Sequence, residues 1–186
     1  MSDLISDKMP ADPALIDRFI FAAERAGATT ERIETSAEAM RAALIQAIAG
    51  AQGALLAEPD DLPAELFTPL AEIPGVARHP SEEQLAAAEV GITDAFAAIA
   101  RTGSICVSIT PGLAGAVSLF TRKHIAFVAA GDIVPRPRDI FTTSHLRDKA
   151  LGRNFVFVTC PSCTADMGPL VRGVHGPGKL HVIILG

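Results

Sequence analysis

Four short apolar runs in the second half of the chain constrain its fold most: SICVSI (104–109), HIAFVAA (124–130), NFVFVT (154–159) and LHVIIL (180–185). Their apolar residues are mostly continuous rather than alternating. That pattern suits strands buried on both faces of a parallel sheet. Between them lie Gly/Pro-rich loops and short helical stretches, which supply the covering layers. The pattern predicts an α/β fold with a mostly parallel sheet flanked by helices.

The first half fits the same scheme. ALIDRFIFAAERAG spaces Leu15, Phe19 and Ala22/Ala23 at helical intervals and stops at Gly27. ATTERIE reads as an edge strand. TSAEAMRAALIQAIAG opens with Thr35 and Ser36 as cap candidates and stops at Gly50. GALLAE reads as a buried strand. Residues 59–81 carry five prolines and predict short helical turns with a weak strand near Val76. SEEQLAAAE predicts a helix capped by Ser81. Further on, the pattern predicts a short helix over DAFAAIARTG (94–103), a Gly/Pro loop over TPGLAGAV (110–117), loop plus helix over 135–151, and a short helix after Pro161. At 186 residues one domain is expected, with residues 1–12 a flexible N-terminus and 13–186 a single α/β unit.

Composition narrows the function. The net charge is −5, with no Trp or Tyr and nine Phe. A nucleic-acid reader would show a basic face and aromatic platforms, so nucleic acid is not the expected partner. No run approaches the ~20 apolar residues of a membrane-spanning helix. The acidic, proline-broken start lacks the features of a signal peptide, so the expected location is cytoplasmic. Three cysteines do not make a disulfide framework, which agrees with a reducing compartment.

The polar loops near the C-terminus carry the chemistry. After NFVFVT comes CPSCTADM (160–167), and before LHVIIL comes GVHGPG (173–178). In open α/β sheets, ligands bind where loops leave the carboxyl ends of strands. A helix opening at Pro161 would offer backbone N–H groups, with the hydroxyls of Ser162 and Thr164, to a phosphate or carboxylate. His175 stands among glycines, with Gly176 next to it, placed to face Ser162 and Asp166 across a cleft. The structural alternatives are a helix cap for Ser162 and Thr164, a dipole partner for Asp166 and a satisfied loop histidine for His175. Earlier loops add Thr93, Thr102, Gly103 and Ser104 as ligand-binding candidates. His124 opens a strand behind Arg122 and Lys123, two cations that are either solvated or steer an acidic substrate. Cys160 and Cys163 have C-x-x-C spacing. A structural zinc needs two more ligands, for which Cys106 and His175 are the candidates. A redox pair is another alternative, and two inert buried cysteines are the reading preferred on sequence. No metal is expected.

These stretches together resemble the lactate-utilisation protein C family, or LUD-domain proteins. The resemblance runs over residues 89–185 through GIT (91–93), IARTGS (99–104), SLFTRKHI (118–125), CPSCTADM and GVHGP. It implies a fold like that of ribose-5-phosphate isomerase, glucosamine-6-phosphate deaminase and CoA transferases. It also implies a cytoplasmic role beside two iron–sulfur proteins in oxidising L-lactate to pyruvate. This chain lacks the cysteine clusters such centres need, so the iron–sulfur clusters would sit on the partner subunits and none on this chain. The family usually has an acidic residue where Arg101 stands, Gly at Cys160, and Arg or Asn at Cys163.

The expected function is that of a non-cluster subunit holding a small anionic ligand. In that picture His175 is a proton donor or hydrogen-bond partner and Asp166 orients a neighbour. The rivals are a stand-alone enzyme on a phosphosugar, acyl-CoA or folate-like substrate, and a scaffold without chemistry of its own.

Overall fold

A computed structural model describes residues 11–142, 154–165 and 168–186. Its centre is a six-stranded sheet of β1 (Thr29–Ile33), β12 (Lys179–Leu185), β7 (Lys123–Ala129), β4 (Val90–Ala95), β2 (Ala54–Leu56) and β3 (Val76–Ala77), in that order. Every neighbouring pair in it is parallel. The expected class is the class found. β12 lies between β1 and β7, with Leu180 opposite His124 and Leu185 opposite both Ile33 and Ala129. β2 and β4 are buried throughout and β7 and β12 along most of their length, as continuous apolar runs require. β1 is half-exposed, and its Thr-Thr-Glu-Arg sequence suits an edge.

One face of this sheet is covered by α2 (Ala37–Ala47) and α3 (Ala64–Ala71). Met40, Leu44, Phe67 and Leu70 pack there against Ile92, Ile125, Phe127 and Ile183. The other face receives α1 (Pro13–Arg25), α5 (Ala114–Phe120) and a second sheet. Ile16, Phe19 and Ala23 of α1 join Ala126, Val128, Val182 and Ile184 in that core. The second sheet has the order β8 (Ile133–Val134), β5 (Ala97–Ile99), β6 (Ser104–Ile109), β9 (Asn154–Val158) and is mixed. Its inner residues Ile105, Val107, Val156 and Val158 face the same core.

Several start and stop signals act as read. Asp12 caps α1, accepting from the Ala14 N–H. Ser36 caps α2 through the Ala39 N–H at 3.1 Å. Ser81 and Gln84 form a reciprocal capping box that opens α4 (Glu82–Ala87). The five-proline stretch yields α3 and β3. Of the expected flexible N-terminus, residues 1–10 lie outside the described residues.

Three expectations are corrected. The segment 94–103 is strand and turn, not helix: β4 runs to Ala95, β5 spans Ala97–Ile99, and a turn leads to β6. Every residue from Val90 to Ala100 is buried, so no polar face remains for an amphipathic helix. Phe96 alone carries the chain from the first sheet to the second, its N–H donating to the Cys106 carbonyl at 3.0 Å. The loop expected over 110–117 ends in α5, which starts at Ala114 after Leu113 takes a left-handed conformation (φ 71°). The helix expected after Pro161 is a hairpin of β10 (Cys163–Thr164) and β11 (Val171–Arg172), with Cys163 opposite Arg172. Over 135–151 a 3₁₀ segment spans Pro137–Thr142, and the rest lies outside the described residues.

Candidate functional site

The hairpin and the glycine loop are stitched together. The Ser162 N–H donates to the Pro177 carbonyl at 2.8 Å, and the Gly173 N–H donates to the Ser162 carbonyl at 2.8 Å. The His175 N–H donates to Ser162 Oγ at 3.3 Å. Ser162, His175 and Gly176 thus share one rim. The Gly178 N–H donates to the Arg122 carbonyl at 3.0 Å, which ties the loop to the turn between α5 and β7.

This rim borders two adjoining hollows. One, of about 670 Å³, lies between α5 and β9 and is mainly apolar, with Ile109, Leu119, Phe120, Val156 and Phe157 among its walls. The other, of about 600 Å³, shares Leu119, Phe120, His175 and Gly176 with the first and adds Arg122, Arg172 and Lys179. The result is a groove with an apolar half and a basic half, and His175 stands at their junction. Phe120 is 72% exposed and Leu119 50%. Arg122 has Glu89 4.0 Å away, a loose pair at 86% exposure of the arginine side chain, so its charge stays available. Lys123 is not in the groove. Its Nζ donates to the Ala47 carbonyl at 2.6 Å, and burial and Lys179 hold its pKa below the usual lysine range.

The site was expected at the carboxyl ends of strands. The Pro161–Thr164 turn does follow the carboxyl end of β9. The glycine loop and Arg122, however, precede β12 and β7, so the groove opens at the amino ends of the main parallel strands. The second sheet and the hairpin create this position, and neither is foreseen by the rule for a single open sheet.

Thr102 and Ser104 reach the groove indirectly. Thr102 Oγ1 lies 2.7 Å from Ser104 Oγ, and Ser104 Oγ lies 2.9 Å from Thr159 Oγ1, which lines the apolar half. The far end of this hydroxyl chain, Thr102, borders a separate recess beside Arg18, Arg25 and Arg101. Gly103 has a packing role instead. With φ at +69°, a Cβ there would stand 2.3 Å from the Ala23 nitrogen, so glycine lets the β5–β6 turn rest on α1.

Thr93 and His124 lie in the core and line neither half of the groove. Thr93 Oγ1 is 2.8 Å from His124 Nε2 on the sheet face under α5. His124 Nδ1 has no hydrogen-bond partner among the described residues. Burial pushes the ring's pKa down to about 4, so it is neutral at pH 7. Neighbouring Gly91 lets α5 approach, since a Cβ there would meet the Val117 carbonyl oxygen at 2.3 Å. Thr164 is half-buried in β10, outside both hollows. Asp166 lies outside the described residues.

Sequence reasoning missed a second polar cluster. Asp94, buried at the end of β4, accepts from the N–H groups of Asp60 (2.9 Å), Asp61 (2.6 Å) and Leu62 (3.0 Å) through Oδ2. Ser108 Oγ donates to Asp61 at 2.8 Å, and Thr110 Oγ1 donates to Asp60. Desolvation raises the Asp94 pKa to about 6 despite those three donors. The PDD run at 59–61 was the visible signal; its long-range acceptor, Asp94, stands at the start of the segment expected to be helical. Thr159, Phe120, Arg172 and Lys179 were also missed: Thr159, Arg172 and Lys179 adjoin the two loops in sequence, whereas Phe120 reaches them only through the fold.

The cysteines differ from the preferred reading. Cys160 and Cys163 are exposed, because their segment is a surface bend and hairpin rather than a helix packed on the sheet. Cys106 is fully buried behind Phe96 and Ile140, and burial pushes its thiol up to about 12. It therefore does not join the exposed pair as a metal ligand.

A parallel sheet covered by helices on both faces defines the α/β class of this fold. The LUD domain model matches residues 64–185, and the chain belongs to that family. Among curated proteins, it is 34% identical over 111 residues to lactate utilization protein C of Exiguobacterium sp., covering 56% of this chain and 47% of that one. It is 39% identical over 105 residues to lactate utilization protein C 1 of Bacillus mycoides, covering 53% of this chain and 44% of that one. The chain thus spans about half the length of the curated relatives it matches. Among solved structures, it resembles a DUF162 family protein from Deinococcus radiodurans with a TM-score of 0.71 at 24% identity. That match covers 95% of this chain and 100% of the other, and it establishes the shared fold.

Proposed function

We propose that the protein takes part in lactate utilisation as a non-cluster subunit, holding a small carboxylate at the groove beside Ser162, His175 and Gly176. The observation that supports this most is the joining of the 160–164 and 173–178 turns, by three hydrogen bonds, next to Arg122, Arg172 and Lys179. A carboxylate at the basic end gains charge-assisted bonds from the guanidinium groups. The His175 ring, at the junction, is placed to hold or pass a proton at the ligand's hydroxyl or carbonyl oxygen. Iron–sulfur clusters would belong to two partner proteins. The names of the curated relatives support the lactate assignment, and the exposed Leu119, Phe120 and Val174 at the groove give partners an apolar surface.

The groove's size favours a second reading. Lactate has six heavy atoms and needs only part of the basic half, whereas the apolar half is of the size of a drug-like ligand site, ~300–1,000 Å³. A stand-alone enzyme acting on a larger anion with an apolar portion, such as an acyl-CoA or a folate-like molecule, would use both halves.

Isothermal titration of the purified chain with L-lactate and pyruvate tests the first reading. The double variant Ser162→Ala/His175→Ala should bind either anion at least about tenfold more weakly, a loss of about 1.4 kcal/mol. Unchanged affinity counts against this site. Turnover of an acyl-CoA or a folate by the chain without partners favours the second reading.

A further inference from the structure

The two exposed cysteines have no part in the carboxylate site just described. They stand three residues apart in the bend that leads from β9 into β10, and both are free thiols. Cys160 also lines the apolar half of the groove. Between them lies Ser162, whose backbone and hydroxyl make all three hydrogen bonds to the glycine loop. We propose that Cys160 and Cys163 form a redox-active dithiol, which closes to a disulfide by exchange with a small disulfide of the glutathione type and thereby resets the glycine loop.

The spacing and exposure of the pair carry the assignment, and its surroundings set how it would react. The two thiols are near enough for Cys163 to bear on the ionisation of Cys160. Burial, with Cys163 beside it, raises the Cys160 pKa, and the guanidinium of Arg172, in the residue paired with Cys163 across the hairpin, partly offsets that rise. The ring to be closed is very short, so chain-entropy stabilisation is small. An exposed disulfide of that kind is labile and reducible rather than a structural staple.

The exchange balances. One cysteine thiolate attacks a sulfur of the small disulfide, whose S–S bond breaks and releases one small thiolate. The other cysteine thiolate then attacks the protein sulfur of the mixed disulfide. That bond breaks in turn and releases the second small thiolate. The protein gives up two electrons, the small disulfide takes them up, and the two thiol protons finish on the released thiols. Closure draws Cys163 toward Cys160 and moves Ser162, and with it the Pro177, Gly173 and His175 backbone groups that it holds.

Mass spectrometry of the full chain tests the proposal without any groove ligand. The protein is equilibrated in glutathione buffers from reduced to oxidised, quenched with an alkylating agent and cut with trypsin. Both cysteines fall in the peptide from Asn154 to Arg172. In oxidised buffer this peptide should lose two hydrogens and resist alkylation, and dithiothreitol should restore it. Cys160→Ser and Cys163→Ser should each stop at the glutathione adduct. Hydrogen exchange over residues 173–178 should differ between the oxidised and reduced chain. A peptide that stays alkylatable, or that carries glutathione without an internal disulfide, overturns the dithiol. Identical exchange in the two states overturns its coupling to the loop.

Discussion

At the scale of single residues, two buried ionisable groups oppose one another. Burial raises the Asp94 pKa from 3.8 to about 6, so between those values the folded carboxyl keeps a proton that the unfolded chain has released. Stability from this residue is highest at acid pH and falls as pH rises through the window, by about 3 kcal/mol in all. Burial lowers the His124 pKa from 6.5 to about 4, so across that range the unfolded ring binds the extra proton. Its contribution runs the other way: it is full above 6.5 and is lost as pH falls toward 4, again by about 3 kcal/mol. The two slopes nearly cancel in the native chain. Urea unfolding from pH 4 to 6.5 should therefore give a steeper rise of stability with pH in Asp94→Asn than in the native chain. In His124→Gln stability should fall over the same range. Identical profiles in all three proteins would show that neither group titrates as its burial dictates. Sequence alone exposed His124 as a candidate but not its role, and it left Asp94 unmarked. A histidine at a strand start and an aspartate after Gly-Ile-Thr look the same whether they meet a ligand or a backbone.

Among the elements, capping and close approach matter differently. The helix α4 has no buried residue, so its ends are held chiefly by the Ser81–Gln84 box. Ser81→Ala should cost about 1 kcal/mol and speed amide exchange within α4, with little effect on the core strands. Gly103→Ala strikes the core instead, since its Cβ would collide with α1 backbone at a positive φ. Global stability should drop by more than about 1 kcal/mol in a thermal melt. A smaller loss would mean that α1 shifts freely away from the turn. The strands β6, β7, β9 and β12 were legible because continuous apolar runs leave few options, although β6 and β9 pair antiparallel in the second sheet rather than joining the parallel one. Residues 94–103 were misread because Ala-Phe-Ala-Ala-Ile suits both helix propensity and a fully buried strand, and only tertiary burial decides between them. The hairpin of Cys163–Thr164 with Val171–Arg172 was misread because Pro161 followed by small polar residues mimics a helix start.

For the molecule as a whole, the position of β12 governs integrity. It pairs with β1 on one side and β7 on the other, and Val182, Ile183 and Ile184 enter both cores. Deleting residues 179–186 should abolish cooperative urea unfolding and leave β1 without a sheet; a residual sharp transition would contradict this. The meeting of the PSCT and GVHGP turns was expected, but at the carboxyl ends of strands, whereas the glycine loop precedes β12. The basic and apolar walls were not: Arg172 and Lys179 flank the glycine loop in sequence, but only the fold brings Phe120 and Arg122 beside them. One feature of the site reaches across the molecule. Thr102, Ser104 and Thr159 form a row of hydroxyls in which each proton's direction depends on its neighbour. A guest that demands a proton from Thr159 and one that offers it would leave the row polarised in opposite senses. The arginine-lined recess at its other end would then meet an oxygen lone pair in one case and an O–H in the other.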